Sequence, residues 1–301
     1  MSAHPLDAFL DALGAEPVNA PWRAGHAWQT RVRLAQRPEP ALLTVWDEPE
    51  RAQRALAACA PTLAGQLFAV PEIIEHGPGW RLSHDIAGQP LERLLAAHNA
   101  ASIAQLPRAA QLVEGVGRVL RKLHSNAPAG APFGPLGDEG WQTFSGYVAA
   151  RLESHAAALN HIALAEHVRV SLLESLGDLR HELSAFYPRL PATLVHGAIS
   201  APFLWVDETG SEIIGLTGFG HAASLPAQYD LSFFLWMEAI AEEDALVRAF
   251  YRGYGAARTM DLQRRERFFR RLCAFEVLVG ELRGVGGRSE QDLIKMAGPG
   301  A

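Results

Sequence analysis

Apolar and polar positions follow two different rhythms along this chain, and the change of rhythm divides it near residue 88. Before that point the apolar residues come in short blocks. Ala27–Leu34 and Ala41–Trp46 read as strands separated by the Pro-rich turn at 37–40. Asp47, Glu48 and Pro49 then suit a helix start, because carboxylates favour the positive end of the helix dipole and proline fits the first turn. That helix is expected to run through residues 50–60. Further strands are expected at Glu72–Glu75 and Trp80–Asp85, and a short amphipathic helix carrying Leu6, Phe9, Leu10 and Leu13 precedes them all.

Beyond the break at Ala87-Gly88 the pattern turns helical. Leu112, Val116, Val119, Leu120 and Leu123 form one apolar stripe; Leu172, Leu176, Leu179, Leu183 and Phe186 form a second; Phe268, Leu272, Phe275, Val279 and Leu282 form a third. Each reads as core packing. One stretch interrupts the helices. Ala192–Val195 reads as a strand leading into His196-Gly197, and Phe203–Val206 with Glu212–Leu216 reads as a hairpin around Asp207, with Gly210 supplying a positive φ. Strands set among helices hold loops rigidly, which suits a site. The polar, Gly-rich tail at 287–301 is expected to fray.

Composition narrows the possibilities. With 301 residues, 49% hydrophobic and 20% charged, the chain can bury a substantial core. A net charge of −6 argues against nucleic acid or an anionic membrane surface as the main partner. No apolar run is long enough for a transmembrane helix, and Asp7 and Asp11 interrupt the N-terminal apolar pattern, which does not read as a secretory signal. Cys59 and Cys273 share no metal-type spacing, and the twelve histidines form no HExxH pattern. Two reduced, partly buried thiols in a cytoplasmic protein are expected.

The stretch from Leu194 to Leu231 resembles the central block of the aminoglycoside phosphotransferase and choline kinase-like family, whose pattern reads roughly LVHGDxxxxNxLVDxxGxxxGxIDFGxxxxGxPxYDLA. The match rests on His196-Gly197, Asp207 with Gly210, Phe219-Gly220, Pro226 and Tyr229-Asp230-Leu231. Weaker pieces extend it over residues 20 to about 285. Phe68 to Pro71 with Ile73 and Ile74 resembles the family's VPxVL strand, Asp85 to Leu91 its hinge, and Gly117 to His124 its LxxLH helix. The resemblance implies an α+β, two-lobed protein kinase-like fold, with a small β-rich N-lobe at 1–88 and a larger, mainly helical C-lobe at 89–301.

The departures from that pattern fall on its charged positions. Phosphoryl transfer uses a carboxylate for the acceptor hydroxyl, oxygen ligands for Mg²⁺, a strand lysine and a phosphate-covering loop. The resemblance puts Ala198 at the catalytic Asp, Phe203 at the metal-binding Asn, Gly218 at the Asp of Asp-Phe-Gly and Thr44 at the strand lysine. No lysine precedes Lys122, although Arg31 or Arg33 could substitute. The segment from Arg23 to His26, where the phosphate loop should lie, holds one glycine.

The expectation is a degenerate member, a pseudokinase with no catalytic residue intact and no cofactor, although His196, mainly architectural in the family, is retained. Thr44, Phe203, Gly218 and the hinge residues Asp85 and Gly88 mark the former cofactor site. Ser200, Trp205, His221, Asp230, Glu242 and Glu243 could line a cleft for a small molecule or a protein partner. Each has a plainer reading. Ser200 follows His196 by four residues like a nucleophile near a base, but suits a loop cap better. His221 reads as an exposed loop histidine, and Glu242-Glu243-Asp244 as a solvated helix start rather than a cation site. Phe203 and Trp205 either fill the nucleotide space or line an apolar pocket. Two alternatives remain: an active phosphotransferase using ATP and Mg²⁺ with carboxylates recruited from Asp207, Asp230 or Asp85, and an enzyme of another class reusing the cleft around Ser200 and His221.

Overall fold

The computed structural model describes residues 4–24, 27–63, 70–126, 132–187 and 189–280. The N-terminal part holds α1 (Asp7–Leu13), β1 (Ala15–Pro17), β2 (Trp22–Ala24), β3 (Ala27–Leu34), β4 (Ala41–Trp46), α2 (Pro49–Leu63), β5 (Ile73–Gly77) and β6 (Trp80–His84). Its antiparallel sheet has the order β1-β3-β4-β6-β5, with β2 also paired to β3. The expected strands are present. The segment resembling VPxVL differs: Val70 and Pro71 precede β5, and Phe68 and Ala69 lie outside the described residues, as do Gly25 and His26 of the expected phosphate loop. Arg23 and Ala24 of that loop belong to β2 instead.

Both faces of this sheet are covered, so side chains of both parities are buried. Val32, Leu43, Val45 and Leu82 pack with Leu6 beside α1. The opposite face carries Gln29, Thr44 and Arg81 in cross-strand register, and Leu42 there meets Leu56, Cys59 and Leu63 of α2. α2 starts at Pro49 as expected and runs three residues past Ala60, through Pro61.

After the link at 85–88 come β7 (Gln89–Pro90), α3 (Leu91–Ala97), α4 (Ala109–His124), β8 (Gly134–Pro135), α5 (Phe144–His161), α6 (Glu166–Phe186), β9 (Thr193–Val195), β10 (Leu204–Val206), β11 (Ile213–Leu216), β12 (Ala223–Leu225), α7 (Gln228–Met237), α8 (Asp244–Tyr254) and α9 (Met260–Gly280). Three helices carry the expected stripes. Phe186 departs from its stripe: it is exposed, with the Arg264 guanidinium over its ring. Leu282 and the tail lie outside the described residues.

The expected hairpin is β10–β11. The Asp207 carboxylate accepts from the amides of Ser211 (2.7 Å) and Glu212 (2.8 Å), and Gly210 turns the chain at φ 65°. Phe203 is not in the strand; it ends a single 3-10 turn, Ala201–Phe203, just before it. β10 also pairs with β7, so the hairpin holds the chain immediately after the inter-lobe link. Cys59 and Cys273 are free thiols but fully buried rather than partly so. Among the described residues no helix is long and apolar enough to cross a membrane.

Candidate functional site

The link between the lobes is occupied by the chain's own cation. Arg31, reaching across from β3, donates through Nε to Asp85 (2.9 Å) and through Nη2 to the backbone carbonyls of Ile86 (2.9 Å) and Gly88 (2.6 Å). Its guanidinium also lies 5.2 Å from the ring centre of Trp205. The planar fork of arginine suits this combination of carboxylate, carbonyls and aromatic face. Arg31 is therefore engaged by the link, and Arg33 is exposed. Trp205 is 0% exposed and meets Trp22 edge-on, and Arg93 of α3 covers Trp22 while donating to the carbonyl of Ala20 (3.0 Å). The tip of the N-terminal sheet is thus pinned onto α3, and Trp205 fills space instead of lining an open cleft.

The corner where the resemblance implies a metal is filled as well. β9 delivers His196 into a fully buried position between the rings of Phe203 and Phe219. Its Nε2 donates to the carbonyl of Thr217 (2.6 Å), and burial pulls its pKa below the ordinary value, so the ring is neutral. Gly218 sits at φ 85°, and a Cβ built there would stand 2.1 Å from the Phe203 ring. The two departures from the family pattern are therefore coupled in space: the ring at 203 occupies the place of a side chain at 218. Ala198 offers a methyl group only.

Asp230 is architectural. One carboxylate oxygen accepts from the His196 amide (2.7 Å), the other from the Gly197 amide (2.9 Å), and the His124 ring lies 3.2 Å away, itself backed by the Tyr254 hydroxyl at 3.1 Å. Asp207 is used up in its turn, and Asp85 by Arg31. Thr44 is buried and accepts from the Gln29 amide at 3.3 Å. Among the described residues no group of three or more His, Cys, Asp and Glu side chains can hold a metal ion. Mg²⁺ needs oxygen ligands, and the side chains of Phe203 and Gly218 supply none, while along the link the carbonyls of Ile86 and Gly88 already accept from Arg31.

Open space lies on the other side of Gly197. A cavity of about 270 Å³ is bounded by Arg51 of α2, Asp138, Arg151 of α5, His221, Tyr229 of α7 and Glu276 of α9, among others. Arg151 grips Glu276 with both nitrogens of its fork, one bond at 2.8 Å, and His155 approaches the same carboxylate at 3.4 Å. Burial opposes ionisation of Glu276, but the bonds from His155 and Arg151 outweigh it and hold its pKa at about 2. A fixed negative charge thus stands near a cationic rim.

Of the residues proposed for a cleft, His221 borders this cavity. Ser200 does not, its hydroxyl donating weakly to the Ala198 carbonyl at 3.4 Å. Glu242 bonds Arg270 (3.2 Å) at a separate cavity between α7, α8 and α9, and Glu243 is an exposed residue at the start of α8. Arg51, Arg151 and Glu276 escaped the sequence reading because charges on helices look like solvated surface. Glu238 escaped too: it is buried, accepts from the Ala201 amide (2.7 Å), and burial lifts its pKa to about 7.

Comparison with known proteins matches this architecture. No curated protein matches by sequence. Among solved structures, the aminoglycoside phosphotransferase APH(4)-Ia superposes with a TM-score of 0.68 at 16% identity, covering 96% of this chain and 92% of its own. The GDP and kanamycin complex of APH(2")-IIia gives 0.65 at 16%, covering 94% and 90%. A choline/ethanolamine kinase family protein from Mesorhizobium loti gives 0.65 at 17%, covering 97% and 90%. These likenesses establish the two-lobed kinase-like fold. The family model for phosphotransferase enzymes matches residues 19–269, which is most of the sequence, and the chain therefore belongs to the phosphotransferase enzyme family.

Proposed function

We propose that this chain is a non-catalytic member of the family, a pseudokinase that binds a small polar molecule in the cavity beside Gly197 and His221. The observation that carries this reading is the Phe203 ring seated where a side chain at 218 would be. It replaces two oxygen ligands with one apolar surface. General-base help alone is typically worth roughly 10²–10⁴-fold in rate, and Ala198 supplies none.

The ligand class follows from the cavity wall. Arg51 lies on one side, with Asp138 and the ionised Glu276 on others. A small molecule carrying both amino and anionic or hydroxyl groups matches that mixture. The division of the chain into lobes at 88/89 and a cytoplasmic setting belong to the same reading, the latter supported by two free buried thiols.

The test is thermal unfolding with ATP, in Mg²⁺ and in EDTA, beside a phosphoryl-transfer assay on amino-sugar and choline-type alcohols. A ligand at a hundredfold excess over Kd stabilises the fold by about 2.7 kcal/mol. The expected result is no Mg²⁺-dependent shift and no transfer, with a shift from an amino-bearing polyol or zwitterion. Transfer to any hydroxyl compound would sink the proposal.

A further inference from the structure

The buried face of the N-terminal sheet carries a positive charge that no described residue balances. Arg81 of β6 is 4% exposed. Its guanidinium lies 5.5 Å from the Trp46 ring centre, its Nε has no hydrogen-bond partner, and it makes no ion pair among the described residues. The helix above supplies no carboxylate: α2 turns Ala52, Ala55, Leu56, Cys59 and Leu63 inward. The ionisable neighbour is Cys59, whose own burial pushes its thiol to about 12 and keeps it neutral. Burial draws Arg81 down to about 10, which still leaves it cationic at neutral pH. An unpaired buried cation is strongly unfavourable, and cation–π contact with Trp46 offsets only part of that.

Beside the guanidinium is a cavity of about 130 Å³, bounded by Trp46, Leu56, Ala60, His76, Trp80 and Arg81 itself. Its wall is mainly apolar and aromatic. Ile73 and His76 are exposed at its margin, so it communicates with solvent. The space is too small for a nucleotide and holds one ring or one branched chain.

We infer that this cavity binds a small organic anion, a carboxylate on an aromatic or branched apolar body, with Arg81 as its counter-ion and Trp46 and Trp80 as its walls. The fork of arginine matches a carboxylate with two parallel bonds. The site lies under α2 and shares no residue with the cavity at Gly197, so this inference and the proposed function can fail independently.

The experiment uses the full chain labelled with 5-fluorotryptophan. The Trp46 and Trp80 fluorine signals are assigned with Trp46→Phe and Trp80→Phe, and benzoate, phenylacetate, 3-methylbutanoate and the neutral isostere benzamide are titrated to ~10 mM, ten times a millimolar Kd. At least one of the three acids should move both signals saturably and raise the unfolding temperature, while benzamide should do neither.

Arg81→Met should weaken binding of that acid by roughly tenfold or more, the usual size for losing a charged hydrogen bond. It should still unfold cooperatively, because it removes an unbalanced charge. Ala60→Leu, which narrows the cavity and leaves the charge, should weaken binding too. The inference is overturned if the acid and benzamide act alike, if Arg81→Met binds the acid as tightly as the parent, if no acid moves the two signals, or if ATP moves them and the acids do not.

Discussion

Asp230 and Arg81 are both buried charges, one in each lobe, and their surroundings differ completely. Asp230 is met by two backbone amides and a histidine ring that is itself held by a tyrosine. Arg81 lies under an indole with an empty Nε and a cavity at its side. Burial of a charge therefore does not by itself distinguish scaffold from site. The number of groups that answer the charge does. Asp230 fixes the turn after β9 in the way a covalent brace would, whereas Arg81 is a donor set without an acceptor among the described residues.

That contrast can be broken by substitution. Asp230→Ala should have the largest effect, about 4 kcal/mol of lost stability in urea unfolding, because it strands two buried amides and a histidine. A loss below ~1 kcal/mol would remove its scaffold role. Gly218→Asp comes next, at about 3 kcal/mol, from collision with Phe203 rather than from the left-handed backbone, which Asp tolerates. Adding Phe203→Ala should cost less than the sum of the two single changes, with a coupling of about 1–2 kcal/mol. Strict additivity would mean that the two positions are not competing for one space.

A third buried charge sharpens the comparison through pH. The Glu238 carboxyl is raised by burial to about 7, from 4.5 in the unfolded chain. Between those values the folded state holds a proton that the unfolded state has released, so this group's contribution to stability falls as pH rises through that window and levels off above it. Glu238→Gln keeps an acceptor for the Ala201 amide without the titration. It should gain up to about 3 kcal/mol on the parent between pH 4.5 and 8, read as the difference between paired unfolding curves. A flat difference would contradict the burial argument.

The smallest effect should be that of Arg81→Met, neutral or stabilising by about 1–2 kcal/mol. It has the opposite sign to Asp230→Ala and is measured in the same way. A clear destabilisation would show that Arg81 is answered after all.

The sequence made much of this architecture legible, for identifiable reasons. The stripes on α4, α6 and α9 show because those helices bury one face only. α7 was missed because it is apolar nearly all round, Tyr229 to Leu235 being continuously buried, so no period stands out. β2 overlaps the expected phosphate loop at Arg23 and Ala24, because a three-residue strand carries too little pattern to stand out. Trp80-Arg81-Leu82-Ser83 alternates as a half-exposed strand does; α2 covers the second face, which a local pattern cannot disclose. The four departures at 44, 198, 203 and 218 come from setting the sequence beside the family pattern it resembles. The contact between 203 and 218, and the capture of the link by Arg31, required distances between residues far apart in the chain.

The two cysteines give the molecule a pair of clocks. Cys59 is sealed beneath the sheet-facing side of α2 and Cys273 within α9, one thiol to each lobe and both fully covered. A thiol reagent can reach either only while its lobe is open, so alkylation rates at low denaturant time each opening separately. Arg31 clasps the link at three points and Arg93 pins the tip of the sheet. If these ties make the halves a single mechanical body, both clocks run at one rate, and loosening Arg31 should set the two thiols ticking apart.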